Sequence, residues 1–262
     1  MWVDRDDVRI GYEIIGDGPT VVLQTGGAGD GGMWKEHLPY LTDFRVVLLD
    51  HRGRGTSSRP SGLAAHSMSQ YVDDVVAVIE ASSTEPVGFV GYSAGAQVGC
   101  ALAASHSDLV ASLVGLGVIS EPDPGPGGDA ELEEYVDLLR TNGMAGLVTE
   151  VQAEEGIELP EWLRAQFVST DAEMFALNLE AWRDWTASPL LSQIECPTLL
   201  VAGSLEDPSH LNGSAATKMR RSEAHWLPDL GHVGAFLAAR EQCELIVSHL
   251  RATLSAAPVT DI

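Results

Sequence analysis

At 262 residues the chain is long enough for one large α/β domain, or such a domain with an inserted lid, whose core needs no disulfide support. Lys and Arg number 15 against 38 Asp and Glu, a formal net charge of −23, which argues against a polyanionic partner such as nucleic acid and for a neutral or shielded small-molecule substrate. Cys100, Cys196 and Cys243 spell neither a disulfide framework nor a zinc site, and with no apolar leader after Met1 and no uninterrupted apolar run of about 18 residues, the expectation is a cytoplasmic protein without a membrane span.

Residues 8–15 alternate partly, Gly16-Asp17-Gly18-Pro19 makes a turn, and residues 20–24 open on three β-branched residues, which predicts two neighbouring strands joined as a hairpin. Strand-like runs at 44–49, 87–90, 109–118 and 198–202 then alternate with helix-like segments at 69–81 and 94–104. Continuously apolar strands of this kind suit a parallel sheet covered on both faces, so the predicted fold class is α/β, with a mostly parallel central sheet and helices on both sides. The rhythm breaks at Glu121-Pro122-Asp123-Pro124-Gly125-Pro126-Gly127-Gly128, too rich in proline and glycine for a regular element, and resumes at Pro197. The division expected is a core of residues 1–120 and 191–262 and a small helical cap over 121–190, where Leu132, Tyr135, Val136, Leu138 and Leu139 recur near helical spacing. The acidic residues concentrated there, Glu154 and Glu155 among them, read as a solvated helix surface. Its aromatic residues read first as packing and second as pocket wall: Trp162, Phe175, Trp182 and Trp185, to which Ala28 and Tyr92 add themselves from the core.

Gly91-Tyr92-Ser93-Ala94-Gly95 stands between an apolar strand and a small-residue helix. A serine at so sharp a strand-to-helix turn is strained and closely approached, so the flanking positions need residues without a Cβ. A serine hydroxyl is a weak nucleophile and needs a base, a carboxylate to orient that base, and donors for the developing oxyanion. Of eight histidines, His232 lies in a loop between the last strand-like run, 224–227, and the final helix, where open α/β sheets place their sites. The acid is sought in Gly203-Ser204-Leu205-Glu206-Asp207-Pro208, just past a buried strand, with Asp207 preferred, Glu206 its local rival, and Glu121 or Asp123 remoter ones. The oxyanion donors expected are the amide of Ala94 and one from the glycine-rich loop after Gln24, Gly27 first and Ala28 next.

These residues, in the order serine, acid, histidine, resemble the serine α/β-hydrolase-fold superfamily, in an esterase or lactonase style. The resemblance runs over residues 8–250 and takes in Asp50-His51-Arg52-Gly53-Arg54-Gly55-Thr56-Ser57, similar to the D-x-R-G-x-G-x-S segment of many members. It implies attack by Ser93 on an acyl carbon, His232 as proton acceptor, Asp207 holding the imidazole tautomer, an acyl-enzyme released by water, and no metal or organic cofactor. One departure is Thr25, which stands where members often carry a histidine ahead of the oxyanion glycine. His51 and Arg52 read as pocket mouth or, more simply, as a loop anchor. The substrate is open among esters, lactones, thioesters, carbon–carbon bonds and perhydrolysis, and monomer or homodimer is open too. Two rivals stand outside this reading. Gly27-x-Gly29-x-x-Gly32 with Asp50 imitates a dinucleotide-binding fingerprint and an NAD(P)-dependent oxidoreductase, and a non-catalytic ligand receptor of the same fold would keep the same residues.

Overall fold

The computed structural model describes residues 1–118, 128–206 and 212–254. Eight strands form one sheet: β1 (Trp2–Arg5), β2 (Val8–Ile15), β3 (Thr20–Gln24), β4 (Arg45–Asp50), β5 (Val87–Tyr92), β6 (Val110–Leu116), β7 (Thr198–Gly203) and β8 (Ser222–Leu227). Their order is β1-β2-β4-β3-β5-β6-β7-β8, with β1 and β2 antiparallel to their neighbours and every pairing from β4 to β8 parallel. The sheet is therefore the mostly parallel one expected, and its residues show why it is covered on both sides. Val21, Leu23, Val46, Leu48, Val114 and Leu116 bury into one apolar cluster while Val22, Val47, Leu49, Leu113 and Phe89 bury into the other. Successive side chains of a strand point to opposite faces, so an unbroken apolar run needs a layer on each.

Those layers come from the helices. Against one face lie α1 (Met68–Ser82) and α2 (Ala94–Ser105), with Val72, Val75, Ile79, Ala96 and Val98 in the shared core. The descending chain then supplies α3 (Gly128–Glu155), broken at Gly143 where φ is +64°, followed by α4 (Glu161–Val168) and α5 (Ala172–Ala181). Past β7 come α6 (Asn212–Lys218), α7 (His232–Leu237) and α8 (Ala239–Leu254), whose Ile246 and Leu250 close the other face of the sheet. The Pro/Gly break at 121–127 lies outside the described residues, as do Glu121, Asp123, Asp207 and Pro208.

The opening hairpin is corrected. Residues 8–15 and 20–24 are both strands, but β4 lies between them, and the hairpin is made instead by β1 and β2. The turn at 16–19 bridges over the entry to β4, whose first amide, on Arg45, donates to the Pro19 carbonyl at 3.0 Å. Strand partners are chosen by register across the sheet, which a compact turn sequence does not report.

Candidate active site

Ser93 ends β5 and caps α2 with φ +52° and ψ −115°, a backbone state that costs a non-glycine residue about 1–3 kcal/mol. Its own amide donates to Leu116 O on β6 at 2.8 Å, and its carbonyl accepts from Ala96 N at 2.9 Å, so the neighbouring strand and helix hold the strain in place. The flanking glycines have a steric cause. A Cβ on Gly91 would stand 2.3 Å from Gly95 O, and one on Gly95 would stand 2.5 Å from the carbonyl oxygens of Gln24 and Thr25. Only a chain without side chains at both positions lets α2 start this close to β5 and to the end of β3.

The loop leaving β3 passes beside the serine, where a Cβ at Gly26 would be 3.2 Å from Ser93 Cβ. Two buried residues of the 50–57 turn fix its peptide planes. His51 Nε2 lies 2.9 Å from Gly26 O, and Arg54 Nε donates to Gly27 O at 2.7 Å. Because the trans peptide places C=O and the next N–H on opposite sides, these bonds set the directions of the Gly27 and Ala28 amides. Burial holds His51 far below the ordinary imidazole range, at about 3, so the ring is neutral and carries one proton. The shorter contact assigns that proton to Nε2. Arg52, which the sequence left between pocket mouth and anchor, is a buried anchor: Nε donates to Asp74 Oδ2 at 2.6 Å and Nη2 to Asp74 Oδ1 at 2.7 Å. Thr25, in the place of the expected histidine, is fully buried, with no hydroxyl partner among the described residues.

His232 and Glu206 meet at the ends of β7 and β8. His232 Nδ1 is 2.6 Å from Glu206 Oε2, whose side chain is 5 % exposed. Gly203 N donates to Glu206 Oε1 at 2.7 Å, so each carboxylate oxygen has a partner and the group is aimed by the very strand that precedes it. Glu206, the rival to Asp207, thus carries the pairing with histidine. The imidazole is pressed against Tyr92 in a stacked arrangement, with centroids 5.0 Å apart and planes at 25°, and a Cβ on Gly117 would lie 2.5 Å from its Cε1. Tyr92 precedes Ser93, so this stack places the ring beside the serine turn. Among the described residues no hydrogen bond joins Ser93 Oγ to His232, the open geometry that a base commonly shows before substrate closes the site.

The remaining predicted wall residues divide. Phe175 of α5 covers the loop after β3, since a Cβ on Gly27 would sit 2.2 Å from its ring, and the Arg54 guanidinium lies 5.3 Å from the ring centroid. Ala28 is buried in the same loop. Trp182 instead donates its Nε1 to His66 O at 2.8 Å and meets Tyr71 edge-on, Trp185 packs next to it, and Trp162 faces Lys35. All three are partly buried and packed against the apolar clusters, and none of these contacts is with the loop after β3.

Two participants were hidden in the sequence. Glu155, at the end of α3, accepts from Val233 N at 2.7 Å and Gly234 N at 3.1 Å, capping the helix that begins at His232. It was read as one more solvated acid. Arg54 was quoted only as part of a turn motif, and the doubled arginine of His51-Arg52-Gly53-Arg54 was its one signal. The glycine fingerprint of the dinucleotide rival is spoken for within the protein: Gly29 N donates to Thr170 Oγ1, Asp30 N to Gln166 Oε1, and Gly31 N to Asp50 Oδ1. No amide of that trio faces outward toward a pyrophosphate, and the loop opens a short 3-10 turn rather than an α-helix.

Fold and site together define a hydrolase-type α/β architecture. The chain belongs to the α/β-hydrolase-fold family, whose model, described as alpha/beta hydrolase fold, matches residues 19–154. It is similar to a protein of Caulobacter sp. (strain K31) named "Putative carbamate hydrolase RutD", 31% identical over 73% of this chain and 74% of that protein. Among solved structures it is similar to the enol-lactonase of Burkholderia xenovorans LB400, with a TM-score of 0.82 and 25% identity over 96% of this chain and all (100%) of that one. A thermophilic esterase from Thermogutta terrifontis gives a TM-score of 0.81 and 25% identity over 94% of both chains. No helix among the described residues is long and apolar enough to cross a membrane.

Proposed function

We propose that the protein is a serine hydrolase that cleaves a small-molecule ester or lactone through an acyl-enzyme. Ser93 is the nucleophile, His232 the general base and then the general acid, and Glu206, in place of Asp207, the carboxylate that fixes the imidazole. The observation that carries this reading is the pairing of a strained serine at a strand-to-helix turn with a histidine stacked on its neighbour and bonded at 2.6 Å to a carboxylate 5 % exposed. With Nδ1–H held by Glu206, the lone pair of His232 is on Nε2, the nitrogen free to take the Ser93 proton. The tetrahedral oxyanion is received by the amides of Ala94, which opens α2, and Gly27, whose direction His51 sets. Water activated by the same Nε2 then releases the acid. The named esterase and enol-lactonase relatives support ester or lactone as the bond.

Carbamate cleavage is the second reading, favoured by the RutD likeness. The nitrogen lone pair makes a carbamate carbonyl a poorer electrophile, so the same triad would lean harder on its oxyanion donors, each worth about 2.7 to 4 kcal/mol of barrier. Thioester, carbon–carbon and peracid chemistry use the same constellation. The deciding experiment is a panel of aryl esters, lactones and carbamates, with mass spectrometry of trapped adducts. Turnover lost in Ser93→Ala, with an acyl or carbamoyl mass on the peptide holding Ser93, is expected, and no turnover and no labelling by a fluorophosphonate overturns the reading.

A further inference from the structure

Arg52 and Arg54 stand two residues apart, each 1 % exposed, and only the first is provided for. Arg52 is paired to Asp74 through two nitrogens and gives its remaining donors to the carbonyls of Ala65 and Gln70. Arg54 gives Nε to Gly27 O at 2.7 Å and Nη1 to Gly53 O at 3.3 Å, both neutral carbonyls, while its Nη2 is buried with no partner among the described residues. No carboxylate is hydrogen-bonded to it there. Burial pulls its pKa down to about 10, which still leaves the guanidinium charged at neutral pH. Asp171 acts on the charge from a distance without a hydrogen bond to it, and a buried cation with an orphaned donor is costly to keep. A second buried amide without a partner, Asn178 Nδ2, lies on α5 one turn from Met174, which packs over Gly53, and three residues from Phe175, the ring over Arg54.

We propose that Arg54 is the recognition site for a carboxylate carried by the substrate, so that the molecule cleaved at Ser93 is an ester or lactone whose acyl part ends in a second, ionised acid group. This rests on the serine-hydrolase reading of Ser93 and names its substrate class. The geometry supports it in three ways. Arg54 grips the carbonyl of Gly27, and the residue before it, Gly26, comes against Ser93, where a Cβ would stand 3.2 Å from Ser93 Cβ, so serine and guanidinium are joined by one short loop. A guanidinium presents parallel N–H donors that match a carboxylate, and Nη2 holds two of them unused. The net charge of −23 repels anions at the surface, and a buried cation, whose field is little screened, offsets that repulsion locally. Phe175 is the cover, and its ring takes the cation's face until the carboxylate displaces it.

The test compares a monoaryl glutarate, which keeps a free carboxylate, with the neutral methyl aryl glutarate of the same length. The readout is the ratio of their kcat/KM values in wild type, Arg54→Gln and Arg54→Lys. Wild type is expected to favour the monoanion about tenfold or more, most of it in KM. Arg54→Gln should abolish that ratio and Arg54→Lys restore part of it. A merely structural arginine, whose loss disturbs the Gly27 loop, lowers both rates by one factor and leaves the ratio unchanged, and that result overturns the proposal. So does a wild-type preference for the neutral diester. Competition by glutarate against its monoamide in wild type needs no variant to fold, and equal inhibition by the two also overturns it. Failure of the hydrolase reading is seen separately, as turnover of the neutral diester that survives Ser93→Ala.

Discussion

The two ends of the proposed catalytic machinery are built by different means. At the serine, everything is local: residues 91–95 carry the turn, the two glycines are forced by backbone atoms 2.3 to 2.5 Å from where a Cβ would stand, and the strain is held by β6 and α2. At the histidine, nothing is local: the imidazole is fixed by Glu206 from the end of β7, by Tyr92 from β5, and by Glu155 from the inserted helices, which caps the two amides that follow it. A steric requirement between neighbours leaves a sequence pattern. A convergence of three distant segments leaves none, because each residue type has its ordinary uses elsewhere in the chain.

The sharpest way to break this comparison is at the local end. Ser93→Ala removes the nucleophile from an otherwise unchanged turn and should lower kcat by a factor on the order of 10⁶ while leaving the melting temperature near wild type. Stopped assays with an active-site titrant check it, and a variant that keeps more than a small residue of turnover would put the nucleophile elsewhere. One step smaller, Glu206→Gln replaces the acceptor at His232 Nδ1 with an amide that permits the wrong tautomer, and the expected loss in kcat is about 10⁴-fold. Asp207→Asn is the matched control and should leave kcat nearly untouched. The opposite ranking would return the acid to Asp207.

That choice of acid shows where the sequence stopped. The parallel sheet and the serine turn were legible, because each is a run of residues whose side-chain size or periodicity is the cause of the structure, while His232 could be sought only by its place in a loop after a strand. The hairpin was misassigned because β4 enters between two strands that a tight turn joins, and register is a property of the whole sheet. Glu206 and Asp207 differ by one position at the end of β7, and which one faces His232 depends on how the turn leaves the strand: here the Gly203 amide captures Glu206 Oε1 and delivers Oε2 to the ring. Phe175 could not be told from Trp162, Trp182 and Trp185 because all four are aromatic residues of the inserted segment, and only the contact with Gly27 separates them. Glu155 was lost in an acidic run for the same reason: its partners lie 78 and 79 residues downstream.

Two buried histidines, His37 and His51, set the next effect, in stability. Burial lowers His37 to about 4 and His51 to about 3, so both are neutral in the folded protein while the unfolded chain protonates near 6.5. Their contribution is fully present above pH 6.5 and is withdrawn as pH falls, because the unfolded state takes up protons that the folded state refuses until about 4 and 3 respectively. Each histidine removes about 1.4 kcal/mol of stability per pH unit in that window. Thermal melts between pH 7 and pH 5 should fall steeply, His66 adding to the slope because burial lowers its pKa too, and His37→Gln, which keeps a group able to meet Gln242, should flatten the slope in part. A melting temperature that does not change over this range would mean that the rings are protonated or solvated in the fold.

The smallest expected effect sharpens the distant end most. Glu155 joins the inserted helices to the histidine: Oε1 takes the Val233 amide at 2.7 Å and Oε2 the Gly234 amide at 3.1 Å, and its carboxylate lies against Gly231, where a Cβ would come within 2.5 Å of it. These are the unsatisfied donors of the first turn of α7, and a carboxylate there answers both their hydrogen bonds and the positive end of the helix. Glu155→Gln keeps the size but turns one of the two contacts into donor against donor. The turn carrying His232 then loses one of its ties, and a small displacement of a base costs about tenfold in kcat, with larger losses for displacements near 1 Å. Global stability should change by less than the loss of a typical helix cap, about 1 kcal/mol, because α7 remains packed through Val233, Ala235 and Phe236. Fast and slow steps separate the alternatives: a fall in the acylation rate measured by burst kinetics, with KM nearly constant, assigns Glu155 to positioning His232. A change confined to KM would instead mean that the contact governs how the inserted helices admit substrate, and the histidine would be held by Glu206 and Tyr92 alone.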